Sequence, residues 1–149
     1  MVQHIELSRL DRASARAYLE ARRWPNGVCC PACGATNRIT ARKDGLFRCN
    51  NCKTDFTVRA GTIFQRSRVP LDKWLHAIHL MATSRNVTSI GLAKAIGVTQ
   101  KTAWLMMRKL RKACGNDAHT ELAATPQALL DAVVDRVLAY RADSGGQVC

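Results

Sequence analysis

Two cysteine pairs carry the clearest chemistry in this sequence: Cys30-Pro31-Ala32-Cys33 and Cys49-Asn50-Asn51-Cys52, separated by 15 residues. Two thiols spaced by two residues can wrap one face of a tetrahedral ion, and two such pairs close its coordination sphere. Gly34 follows the first pair, where a left-handed residue lets the chain turn sharply. The spacing between the pairs is enough for a two-stranded hairpin that brings the second pair back to the first. Cys29 is the alternative first ligand, but its four-residue step to Cys33 matches the second pair less well. Four thiolates leave no position for water, so the ion implied is a structural Zn²⁺. A module of about 35 residues has too little core to fold unaided. Zinc binding worth about 10–16 kcal/mol would decide its folding. The competing readings are four buried thiols without metal, or redox pairs. Against the latter, neither pair opens a helix in a βαβ setting.

The chain has seven cysteines. That odd count, with a charged N-terminus lacking the apolar core of a signal peptide, points to a cytoplasmic protein and to metal ligation rather than a disulfide framework. Cys114 and Cys149 have no assignable partners. His76 and His79 share a helix face and read as packing or surface residues; His4 and His119 are scattered. No apolar run is long enough to span a membrane.

The elements that must position the cysteines follow from pattern and turn chemistry. Ser8 as N-cap, with Asp11 completing a capping-box-like pair, starts a helix whose stripe is Leu10, Ala13, Ala17, Ala21 and Trp24. Pro25-Asn26-Gly27 ends it. Strands are expected at 38–42, 46–49 and 55–59, the first two joined by a hairpin at Lys43-Asp44-Gly45. Pro70 opens a helix with Leu71, Trp74, Leu75, Ile78 and Met81 on one face. Further helices span about 89–96 and 100–112. In the tail, Thr125 and Pro126 begin a helix with Leu129, Leu130, Val133, Val134, Val137 and Leu138 on its apolar face. The resulting class is α+β, mainly α. Its modules are an N-terminal helix (1–26), a four-cysteine zinc ribbon (27–62), a helix-turn-helix region (68–113) and a tail (114–149).

Net charge is +12, unevenly spread: +15 over residues 1–115 and −3 over 116–149. A basic body of this kind suits a polyanionic partner, first of all double-stranded DNA. The segment Ser89–Ala113 sharpens that. Gly97 supplies a turn, Val98 plugs the angle between two helices, and Thr99 caps the second. Ala103, Met106, Met107 and Leu110 face inward, the methionines as core filling. Gln100, Lys101, Thr102, Trp104 and Arg108 are left for the outer face, where the first residues of a recognition helix meet base edges. Lys109, Arg111 and Lys112 suit phosphates. The bland alternative is a basic three-helix bundle without DNA.

The runs "RRWPNGVCCPACG", "FRCNNCKTDFTVRAGTIFQRSRVPLDKWLHAIHLM" and "GVTQKTAWLMMRKLRKA", in this order, resemble the N-terminal half of an insertion-sequence-1595 family transposase. The resemblance runs from about Asp11 to Lys112. It implies a zinc ribbon and a helix-turn-helix that bind an element's terminal inverted repeats, followed by an RNase H-like domain that cuts DNA with two Mg²⁺ ions. No strand bearing a first catalytic Asp follows Lys112. Asp131 and Asp135, four apart on the tail helix, read as a solvated face. The expectation is therefore a truncated or frameshifted transposase that binds DNA and is not itself an enzyme, with no catalytic residues assigned. Its partners would be DNA at the nucleoid and another copy or a full-length transposase. A free-standing transcriptional regulator and the DNA-binding subunit of a split transposase are the alternatives.

Overall fold

Asp11 opens the first helix. Its backbone is extended (φ −74°, ψ 174°) and its carboxylate accepts the Ser14 N–H at 2.9 Å, so helix α1 spans Arg12–Arg23. The same hydrogen bonds with Ser14 hold the Asp11 carboxyl below its ordinary value. The structure, a computed structural model, describes residues 11–83, 86–114, 133–135 and 137–138; Ser8 and Leu10 lie outside that set. The expected alanine stripe is not the inward face: Ala13, Ala17 and Ala21 are exposed, and Ala15, Leu19 and Trp24 are buried. Alanines satisfy helical spacing but bury little area. The larger Leu19 and Trp24 decide which face turns inward.

Three short antiparallel strands follow, β1 (Ile39–Ala41), β2 (Phe47–Cys49) and β3 (Asp55–Phe56), in the order β1-β2-β3. The register pairs Ile39 with Cys49 and Phe47 with Phe56. The hairpin turn sits where Asp-Gly places it, with Asp44 at φ 60° and Gly45 at φ 78°. The third strand stops short of residue 59. Thr57 Oγ1 accepts the Arg59 N–H at 3.2 Å, and the Thr62 hydroxyl donates to the Arg59 carbonyl at 2.6 Å. Such local side-chain bonds compete with the ladder and turn the chain. One aromatic group joins α1 to the sheet. Trp24 meets Phe47 and Phe56 edge-on, with centroids 5.6 and 6.0 Å away, and the two phenylalanines stack at 5.6 Å.

Helix α2 (Leu71–Thr83) buries Leu71, Trp74, Leu75 and Ile78, the face its spacing predicts, while Met81 is half-buried. Helix α3 (Ser89–Ile96) is capped by Thr88, whose hydroxyl accepts the Gly91 N–H at 3.0 Å. It ends at Gly97, which adopts the left-handed conformation (φ 72°, ψ 44°) that stops a helix cheaply only at glycine. Thr99 Oγ1 then accepts the Thr102 N–H at 3.2 Å and starts helix α4 (Gln100–Cys114). Lys73 Nζ donates to the Gly97 carbonyl at 3.2 Å, tying the α3–α4 turn to α2. Ala103, Met106, Met107 and Leu110 of α4 are buried with Leu92 and Ile96 of α3.

Val133, Val134, Val137 and Leu138 of the tail are helical and buried. Asp135 is exposed but not merely solvated: the Arg22 guanidinium donates to its two oxygens at 3.1 and 2.6 Å. Thr125, Pro126, Leu129, Leu130 and Asp131 lie outside the described residues. Among the described residues no helix is long and apolar enough to cross a membrane.

Candidate metal centre and basic helix face

The loop before β1 and the turn after β2 bring the two cysteine pairs together. Each pair contributes one buried thiol, Cys30 or Cys49, and one half-buried thiol, Cys33 or Cys52. Cys30 Sγ lies 3.6 Å from Cys52 Sγ, and Cys33 Sγ 3.6 Å from Cys49 Sγ; all four sulfurs fall within 4.8 Å of one another. These separations are far beyond an S–S bond. They match the edge of about 3.8 Å that a tetrahedron has when its centre lies about 2.3 Å from each sulfur, the Zn–S distance. Cys29 is buried outside the quartet, and its sulfur is disulfide-bonded rather than available as a thiolate. That bond departs from the expectation of a chain free of disulfides. It leaves Cys30 as the first ligand.

Backbone geometry shapes both knuckles alike. Cys30 N–H donates to the Ala35 carbonyl and Gly34 N–H to the Cys30 carbonyl, both at 2.9 Å; Cys49 N–H donates to the Thr54 carbonyl at 2.9 Å. The residue after each pair is left-handed: Gly34 at φ 75° and Lys53 at φ 64°. Polar hydrogens are thereby gathered around the sulfurs. The Ala35 N–H and, more weakly, the Asn51 side-chain amide at 3.7 Å hold the Cys33 thiol below its ordinary value. The hydroxyl and N–H of Thr54 draw the Cys52 thiol down to about 6. Burial pushes the Cys30 thiol up to about 11. A buried sulfur can be a thiolate only beside a compensating cation, and a metal ion supplies one. The four residues therefore fit a closed, four-thiolate metal site, with Asn51, Lys53 and Thr54 as supporting residues. The sequence signal for these three was their position inside or just after a C-x-x-C pair.

Residues 10–55, which contain this centre, match the family model described as the transposase zinc-ribbon domain of the IS1595 type. Over those residues the chain is similar to the zinc ribbon of IS1595-type transposases. It is 35% identical over 95 residues to a relative from Halobacterium salinarum described as an uncharacterized protein in transposable element ISH50. The match covers 61% of this chain, and spans about a third (32%) of that relative's length. No solved structure matches the chain.

The IS1595-type ribbon match ends before α2, and the other expected site residues lie beyond it on α4. Gln100, Lys101, Trp104, Arg108, Lys109, Arg111 and Lys112 are all exposed. Thr102 differs. It is half-buried, and its hydroxyl takes a hydrogen bond from the Thr99 hydroxyl at 2.8 Å within the helix cap. The Arg108 guanidinium sits over the Trp104 ring, 5.4 Å from its centroid, in an exposed i,i+4 stack that restrains both long side chains. Trp104 is 51% exposed and Leu105 43%. Leu105 had no assigned role in the sequence, and it sits beside the basic face rather than in the core.

Proposed function

We propose that this chain binds double-stranded DNA through the solvent face of α4, as the recognising part of an IS1595-related transposition system. Helix α4 carries the proposal: it has five Lys or Arg residues, no Asp or Glu, and an apolar half packed against its neighbours so that the basic half stays outward. In this reading α3, the turn at 97–99 and α4 act as a helix-turn-helix. Gln100 and Lys101 stand at the start of α4, where base edges are met, with Trp104 and Arg108 one and two turns on. Gln pairs well with adenine, and Lys or Arg with guanine. Lys109, Arg111 and Lys112 neutralise phosphates and set the register. Thr102 contributes by fixing the helix start. The cysteine quartet holds a structural Zn²⁺ that keeps the ribbon folded beside this unit.

The relation to a transposase zinc ribbon makes terminal inverted repeats the preferred target. The residues described here bind those ends. They occupy those ends at the nucleoid, in the cytoplasm. Selection from a random duplex library tests this reading. The wild-type chain should enrich one motif, lying in the terminal repeats of a resident element, and Lys101→Ala/Arg108→Ala should not. Enrichment of promoter sequences would make the chain a regulator instead. No enrichment by the wild type would contradict sequence-specific binding.

A further inference from the structure

Two clefts adjoin on one side of the molecule. The first, of about 330 Å³, opens between α1, the β1–β2 turn and the segment leading to α2. Arg12, Arg16, Arg59 and Arg68 line it, and among the described residues Asp44 is the one carboxylate in its lining. The second, of about 360 Å³, runs between residues 67–70 and α4, where Thr102, Leu105 and Lys109 line it. Arg68 and Pro70 belong to both, so the path from α1 to α4 passes through that segment.

The arginines are arranged by the fold. Arg59 is half-buried, and its two terminal nitrogens donate to the carbonyls of Ser67 and Val69, each at 3.0 Å. That clamp holds the segment in shape on either side of Arg68, which stays exposed. Arg16 lies across the hairpin turn, and a Cβ on Gly45 would collide with its Cδ. Gly45 is required for its left-handed backbone, and its missing side chain leaves room for Arg16 to lie there. Arg16 also reaches Glu20 at 3.7 Å, a loose contact, and Glu20 does not line the cleft. Arg12 is exposed. Cations gathered around one cleft repel each other unless an anion lies between them. The planar guanidinium fork matches phosphate oxygens better than it matches most anions.

We propose that Arg12, Arg16 and Arg68 hold the sugar-phosphate backbone of the same duplex that α4 reads. The DNA interface then extends from α4, across residues 67–70, to α1, and Arg59 is its positioning residue. This rests on the reading of α4 as a DNA-binding helix. What ties the phosphates to that duplex, rather than to a free anion, is the adjoining cleft leading to Lys109.

Salt titration of DNA affinity tests the extension, using the zinc-loaded full chain and a mixed-sequence duplex of about 30 base pairs. Arg12→Ala/Arg68→Ala removes two exposed side chains and should lower the slope of log K against log[salt] by about 2, equally on mixed and selected sequences. Arg12→Lys/Arg68→Lys should restore the slope, and unchanged zinc content would show the fold intact. Lys101→Ala/Arg108→Ala should instead erase the preference for the selected sequence. An unchanged slope in the arginine variant, with the α4 variant still impaired, overturns the cleft and leaves the α4 reading standing. Saturation by inorganic phosphate with the DNA slope unchanged would assign the cleft to a free anion and also overturn it. A wild-type slope near zero would overturn both.

Discussion

The ribbon and the α2–α4 unit are built on opposite principles. The ribbon's strands are two or three residues long, and its centre is a cluster of sulfurs. The helical unit is closed by apolar side chains: Trp74, Leu75, Ile78, Leu92, Ala103 and Met106 are all nearly or fully buried. One region should stand or fall with an ion and with proton concentration. The other should respond to lost volume. Trp24, Phe47 and Phe56 bridge α1 to the sheet, so the ribbon also has a small apolar component that a metal in the quartet would supplement rather than replace.

The largest effect should come from removing the metal. One zinc per chain is expected, and structural sites of this kind contribute about 10–16 kcal/mol of apparent binding energy. Chelation, or Cys49→Ser, should unfold the ribbon while circular dichroism keeps most of its helical signal. An unchanged melting profile on chelation would remove the metal from the account. The reciprocal break is Leu92→Ala, at a fully buried side chain, which should cost about 2–5 kcal/mol. It should melt the helices with zinc still bound, and zinc release in step with helix loss would show that the two regions are one cooperative unit.

Acid should distinguish the regions more gently. The Cys52 thiol, drawn down to about 6, contributes stability above the ordinary thiol range and loses it as pH falls through about 6. Zinc pulls in the same direction, because its ligands must be thiolates. A chromophoric chelator should therefore capture zinc readily at the acid end while the helical signal holds. Zinc retention equal at both ends would contradict this. The smallest effect tests the knuckle turns. Gly34→Ala forces a side chain into the left-handed region and should cost about 1–2 kcal/mol. Lys53→Gly should relieve the matching strain, so that the two variants shift the ribbon's melting in opposite directions.

How much the sequence disclosed follows the same division. Spacing alone identified the quartet, because C-x-x-C pairs leave little geometric freedom. Helices α2, α3 and α4 were legible because large apolar residues recur at helical steps and Gly97 and Thr99 punctuate them. The face of α1 was misread because alanines keep the spacing without the area that drives burial. The third strand was overextended because Thr57 and Thr62 divert the backbone by local hydrogen bonds that periodicity does not register. Lys53 was missed because a lysine carries no sign of left-handed backbone. Thr102 was placed outward by periodicity, although its hydroxyl belongs to the cap. The arginine cleft was invisible for another reason: residues 12, 16, 59 and 68 converge only through tertiary contacts.

The most direct measurement is a two-dimensional amide spectrum of the ¹⁵N-labelled, zinc-loaded chain, titrated with the selected duplex. Binding through α4 predicts that the largest shifts fall on the amides of residues 100–112, followed by those of 67–70. Saturation with the α4 amides unmoved would contradict it.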